Sequence, residues 1–321
     1  MTHRGAGQRP APCHARGRLA GLLLALAAWA GPAAAQQGAD PAAVERGAYV
    51  FNAAGGCSCH TDVENQGAHL AGGRALATPF GTFYAPNITP DPASGIGGWS
   101  DADFIRAMRQ GEAPDGSPYY PAFPYPAFTG MTDADLLDLK AFLFAQPAVA
   151  APNRAHELDA PFGWRFLMRA WRLIYFAPGP FVPDPARSEV VNRGAYLVEA
   201  LGHCGECHTP RDALGGLERD LWLAGAAEGA EGESTPNITP DPDTGIGVWS
   251  DDAIRDVLAT GMLPDGDFVG GAMAEAVEGF RHLTPADLDA IVAYLRAVPP
   301  VHNRIGKAAP AEDEPDDNPW D

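Results

Sequence analysis

The chain has 321 residues, 41 of them acidic and 22 basic, for a formal net charge of -19; it contains 37 glycines, 31 prolines and 5 cysteines. Such a length allows about two domains with their own cores, and the balance of charged and apolar residues excludes a wholly disordered chain. The acidic excess excludes nucleic acid as a partner, because affinity for phosphates comes from Lys and Arg, and it favours basic partners instead.

Residues 1–35 read as a leader. Arg4, Arg9, Arg16 and Arg18 precede an apolar run from Leu19 to Ala30 that is too short to span a bilayer, and Ala33, Ala34 and Ala35 form a small-residue cleavage site. Cleavage there predicts an exported, periplasmic chain and takes Cys13 away with the leader. Four cysteines remain. A helix expected over 46–54 leads into Cys57-Ser58-Cys59-His60, a C-x-C-H motif. It is one residue shorter than Cys204-Gly205-Glu206-Cys207-His208 further on. In that C-x-x-C-H pattern two thiols on one short turn add to the two vinyl groups of a haem, and the adjacent histidine reaches the iron. A dithiol redox pair would want a βαβ context, and half of a zinc site would need another ligand pair nearby.

An internal repeat ties the two motifs together. Arg46-Gly47-Ala48-Tyr49 recurs as Arg193-Gly194-Ala195-Tyr196, and each arginine stands 11 residues before the first cysteine of its motif. The missing residue is therefore inside the first motif itself. Pro86-Asn87-Ile88-Thr89-Pro90-Asp91 recurs from Pro236 to Asp241, and each copy is followed by Gly-Ile-Gly and by Trp99-Ser100-Asp101 or Trp249-Ser250-Asp251. In these loops Asn and Thr have two readings, as donors to haem propionates or as turn formers. The two tryptophans read as core packing. Ser100 and Ser250, each before an aspartate, are expected to cap a middle helix. Closing helices are expected over 132–143 and 284–295, with Thr132 and Thr284 as N-caps. Each should cross the opening helix of its copy, Phe142 approaching Gly47 and Tyr294 approaching Gly194. Between the copies, residues 164–176 mix Arg165, Arg169 and Arg172 with aromatics. That segment reads either as the helix packing the domains together or as a peripheral contact with a membrane or a dehydrogenase, and its arginines exclude a simple spanning helix. The last residues are acidic and read as a disordered tail.

With these blocks in hand, the sequence resembles the multi-haem c-type cytochrome subunits of periplasmic dehydrogenases, such as those serving bacterial alcohol and gluconate dehydrogenases, over about residues 42 to 302. The resemblance implies an all-α fold of two tandem class I cytochrome c domains, 42–150 and 188–303, joined by a helical, aromatic linker at 151–187, with the leader at 1–35 and the tail at 304–321. It further implies electron relay. Family members commonly carry three haems, whereas this chain shows sites for two covalent haem c groups, attached at Cys57 and Cys59 and at Cys204 and Cys207. His60 and His208 are the expected proximal ligands. Met273, in Gly270-Gly271-Ala272-Met273 upstream of the second closing helix, is the expected sixth ligand of the second haem. Phe123 occupies the corresponding place in the first copy and cannot bind iron. Met131 is expected to serve instead, with Met108 or an open sixth position as the alternatives, and Met131 also suits a hydrophobic staple before Thr132. The implied partners are a periplasmic dehydrogenase as donor and a further cytochrome or terminal oxidase as acceptor. A haem enzyme with an open first site, peroxidase-like or thiosulfate-oxidising, is the competing reading.

Overall fold

The computed structural model describes residues 40–229 and 232–305. The expected leader and all but the start of the acidic tail lie outside them. Asp40 accepts from the Ala42 N–H and, with Pro41 in the first turn, starts α1, Pro41–Ala53. A tight turn over Gly55–His60 carries the first cysteine motif. The strands β1, Ala75–Thr78, and β2, Gly81–Tyr84, then form an antiparallel hairpin. Next come α2, Asp101–Gln110; the single turn α3, Tyr125–Phe128; and α4, Asp133–Phe144. Ser100 and Asp103 form a reciprocal capping box for α2, as the sequence led one to expect.

The middle segment adds β3, Glu157–Leu158, to the hairpin and then forms α5, Met168–Tyr175. The second copy comprises α6, Glu189–Tyr196, which runs on into a wider π turn over Leu197–Leu201; α7, Gly205–His208, carrying the second motif; α8, Asp251–Thr260; α9, Gly271–Phe280; and α10, Pro285–Ala297. The fold is therefore mostly helical rather than purely so. The small sheet of the first copy departs from the all-α expectation: the tight Pro79-Phe80 link with Gly81 at a φ of 108° reverses the chain, and β2 buries Phe83 and Tyr84.

In each copy the opening and closing helices cross where a glycine removes the side chain. A Cβ on Gly47 would lie 1.9 Å from the Asp138 carbonyl oxygen and 2.8 Å from the Phe142 Cβ. One on Gly194 would lie 1.8 Å from the Ala290 oxygen and 2.8 Å from the Tyr294 Cβ. Arg46 locks the first crossing through Asp138, at 2.7 and 2.8 Å, and Arg193 the second through Asp287, at 2.8 and 2.6 Å.

The copies are not separate bodies. One apolar cluster runs from Val50, Met108 and Leu136 of the first to Val198, Ile254 and Ile291 of the second. Each copy also caps the other's closing helix. The Tyr49 hydroxyl donates to Asp287 at 2.5 Å and accepts from the Thr284 N–H at 3.2 Å. Reciprocally, the Tyr196 hydroxyl donates to Asp135 and accepts from the Thr132 N–H at 3.0 Å.

Candidate functional site

Both motifs sit where a helix breaks off abruptly. After α1 three successive residues, Gly55, Gly56 and Cys57, take left-handed conformations at φ of 72°, 71° and 50°. Two glycines adopt these at no steric cost, and the tight path lets the shorter C-x-C-H loop close. In the second copy α7 places Cys204, Cys207 and His208 on one turn, and only His203, at φ 39°, is left-handed there.

No disulfide joins Cys57, Cys59, Cys204 and Cys207. Burial, assisted by the neighbouring cysteine, pushes Cys57 and Cys204 up to about 12. A dithiol redox pair needs the opposite, an easily formed thiolate. Among the described residues no group of three His, Cys, Asp or Glu comes together as a zinc site would require.

The histidines are held in the same way in both copies. His60 Nδ1 lies 2.7 Å from the Pro86 carbonyl oxygen, and His208 Nδ1 lies 2.8 Å from that of Pro236. A carbonyl can only accept, so Nδ1 carries the proton and Nε2 keeps its lone pair. Burial lowers the pKa of both rings, outweighing the opposite pull of the carbonyls, so each imidazole is neutral. A neutral imidazole oriented through its far nitrogen is a ready iron ligand. With two adjacent thiols and such a ring in each copy, the residues fit a covalently attached haem.

The repeated loops serve this geometry through their backbone. Asn87 and Thr89 are buried, and the Asn87 side chain accepts from the Thr89 N–H at 2.9 Å and hydroxyl at 2.7 Å while donating to the Val149 carbonyl at 2.8 Å. Asn237 and Thr239 do the same, with Val301 in the place of Val149. Their polar groups are used in the turn and in tying down the chain beyond each closing helix, which favours the turn reading over propionate donors. What the sequence reading missed is the proline carbonyl itself and the strand of chain behind it. Leu70-Ala71-Gly72 and Leu223-Ala224-Gly225 thread between histidine and loop; Gly72 and Gly225 donate to the His60 and His208 carbonyls at 2.8 Å. A Cβ on Gly72 would fall 2.5 Å from the Pro86 carbonyl carbon, and one on Gly225 would fall 2.7 Å from the Asn237 nitrogen. The repeated Leu-Ala-Gly was the available signal.

The expected sixth ligands fare differently. Met273 lies in the first turn of α9, partly buried and packed against the core. Met131 has no accessible surface at all. It directly precedes the Thr132 cap, and Leu283 holds the same position before Thr284, itself buried. Met131 thus sits in the core at a helix entrance, a position that suits the hydrophobic staple. Met108 is likewise buried on α2. Phe123 remains in the place corresponding to Met273, its ring 5.5 Å from Tyr119 and 5.8 Å from Phe128.

The motifs also meet the opposite copy. Helix α9 packs on the first motif: a Cβ on Gly279 would lie 2.4 Å from the Asn52 oxygen, and Arg74 bonds Glu275 at 2.6 Å. Across the same junction His203, next to Cys204, sets its ring edge-on to Phe128 at 5.3 Å. Burial lowers the pKa of His203, with Glu206 and the Ala54 carbonyl pulling the other way. Ala54 stands three residues before Cys57.

A family model described as cytochrome c matches residues 191–299. A protein named as a dihaem cytochrome c-type from Cereibacter sphaeroides is 44% identical, the match covering 80% of this chain and 86% of that protein. The cytochrome c subunit of a quinone alcohol dehydrogenase from Gluconacetobacter polyoxogenes is 40% identical over 85% of this chain and 59% of its own length. The gluconate 2-dehydrogenase cytochrome c subunit of Pantoea cypripedii is 38% identical over 86% of this chain and 64% of its own length. The chain thus spans less than two thirds of either dehydrogenase subunit.

Proposed function

This chain belongs to the family of dihaem c-type cytochromes, and from that premise we propose that it is a periplasmic electron carrier with two tandem haem c centres. Cys57 and Cys59 hold one haem and Cys204 and Cys207 the other, with His60 and His208 as proximal ligands and Met273 as the sixth ligand of the second. The observation that carries this reading is the pair of histidine Nδ1 bonds to Pro86 and Pro236, which leave an unprotonated Nε2 beside each pair of thiols. Each haem c supplies one-electron exchange at its iron. The polypeptide would hold the two centres relative to each other, keeps both imidazoles neutral and would offer the second iron the Met273 thioether. The donor is a dehydrogenase, as the relatives' names suggest, and the acceptor a further cytochrome or terminal oxidase. The acidic surface steers basic partner faces.

The presence of Phe123 where the second copy has Met273 favours a second reading for the first centre, in which its iron has no methionine ligand. An open iron is what a peroxidase-like or thiosulfate-oxidising enzyme would use. One experiment separates the possibilities. Intact mass of the exported protein should show two haems, and carbon monoxide added to the reduced form should bind one centre. The second centre should bind it only in Met273→Ala. A single haem would sink the two-centre reading, and carbon monoxide binding at neither centre would show that the first iron has a sixth ligand after all.

A further inference from the structure

We propose that the outer face of α5 is a docking surface for an anionic phospholipid bilayer. The argument starts from composition. Residues 160–183 contain no Asp or Glu, although the chain has 41 of them, and this stretch holds Arg165, Arg169 and Arg172. A negatively charged sheet could approach this segment without repulsion from its own residues.

The inner face of α5 is fully engaged. Met168 and Trp171 are buried, the Trp171 indole donates to the Leu214 carbonyl at 2.9 Å, and the Tyr175 hydroxyl donates to Asp212 at 2.7 Å. Arg172 bonds Glu112 at 2.7 Å. These contacts reach into both copies. Among the described residues the outer face has no such partners. Leu173 is 89% exposed, Ile174 67%, Phe166 66% and Trp164 55%, and the Trp164 and Phe166 rings stack on each other. Arg169 lies exposed on the same face.

An exposed strip of Trp, Phe, Leu and Ile with an arginine beside it matches the interfacial helix, which lies in the headgroup plane with its apolar residues inserted and its arginines at the phosphates. Lipid phosphates would neutralise Arg169. The inference does not depend on haem ligation, and it would hold an electron carrier beside membrane-bound partners.

The test is flotation of the exported, haem-loaded protein with vesicles of phosphatidylcholine alone and of phosphatidylcholine mixed with phosphatidylglycerol. Binding to the mixed vesicles, weakened by salt, is expected, with much weaker binding to the neutral ones. Leu173→Glu/Ile174→Glu should lower binding by on the order of tenfold or more, and Arg169→Glu should lower binding to the mixed vesicles. Unchanged haem spectra show that both variants fold and keep this readout apart from the electron-transfer reading. No binding of the parent to mixed vesicles, equal binding to both vesicle types, or undiminished binding of the double variant would overturn the proposal. So would a parent dimer in solution that the double variant breaks, which would assign the face to a second copy.

Discussion

Met131 and Met273 occupy different surroundings, the one fully buried before α4 and the other partly buried in the first turn of α9. Met131 fills a buried notch at the entrance to α4, where the second copy uses Leu283. Substituting Leu there conserves volume and should cost under about 1.5 kcal/mol, with the optical spectrum of both haems unchanged. Loss of a low-spin signal in Met131→Leu would assign the sixth ligand of the first iron to this residue. The same scale decides the fate of the two histidines. Their rings titrate low because burial disfavours the charged form, and the Pro86 and Pro236 carbonyls select the tautomer. The residue type and the adjacency to cysteine were readable in advance. The carbonyl that aims each ring belongs to a segment 26 or 28 residues further along, beyond the reach of a local motif.

At the scale of elements the crossing glycines and the exchanged caps carry the strain and the specificity. Gly47→Ala would drive a Cβ to 1.9 Å from the Asp138 oxygen. The helices must then part, at a cost of about 3 kcal/mol or more, measured as a fall in denaturation midpoint. The tyrosine of the Arg-Gly-Ala-Tyr repeat does different work. Tyr49→Phe removes a bond to the Asp287 carboxylate and one from the Thr284 N–H, and Tyr196→Phe removes the equivalents at Asp135 and Thr132. Each should destabilise the whole unit by about 1.5–3 kcal/mol, the range for hydrogen bonds to charged groups, and both copies should still unfold in one transition. Separate unfolding of the two copies in Tyr49→Phe/Tyr196→Phe would show that the caps, rather than the shared apolar cluster, join them.

For the whole molecule the junction between copies gives a dependence on pH. Asp287 is desolvated, which by itself raises its pKa, but the bonds from Arg193 and Tyr49 and the charge of Arg193 outweigh burial and bring it below its ordinary value. A carboxylate so depressed contributes stability that is fully present above the ordinary carboxylate value and is lost as the pH falls through the folded-state value. Acid unfolding should therefore begin below the ordinary Asp range. Asp287→Asn should be less stable at neutral pH and should lose less on acidification, as followed by denaturant unfolding across that window. An unaltered acid limb in the variant would mean that other carboxylates set it.

The repeat, the two cysteine motifs, the capped helices and the glycine crossings were determined by the sequence alone, because each depends on residues close together or on the comparison of one copy with the other. The same local logic made the electron-transfer class legible. Tertiary structure alone decided which polar groups of the Pro-Asn-Ile-Thr-Pro-Asp loops are used up in turns, that Met131 is buried, and which face of the helix between the copies is left exposed. It also decided that Tyr49 and Tyr196 cap helices 235 and 64 residues away. Those outcomes depend on burial and on donors and acceptors brought together across the fold, and neither quantity exists until the chain has closed on itself.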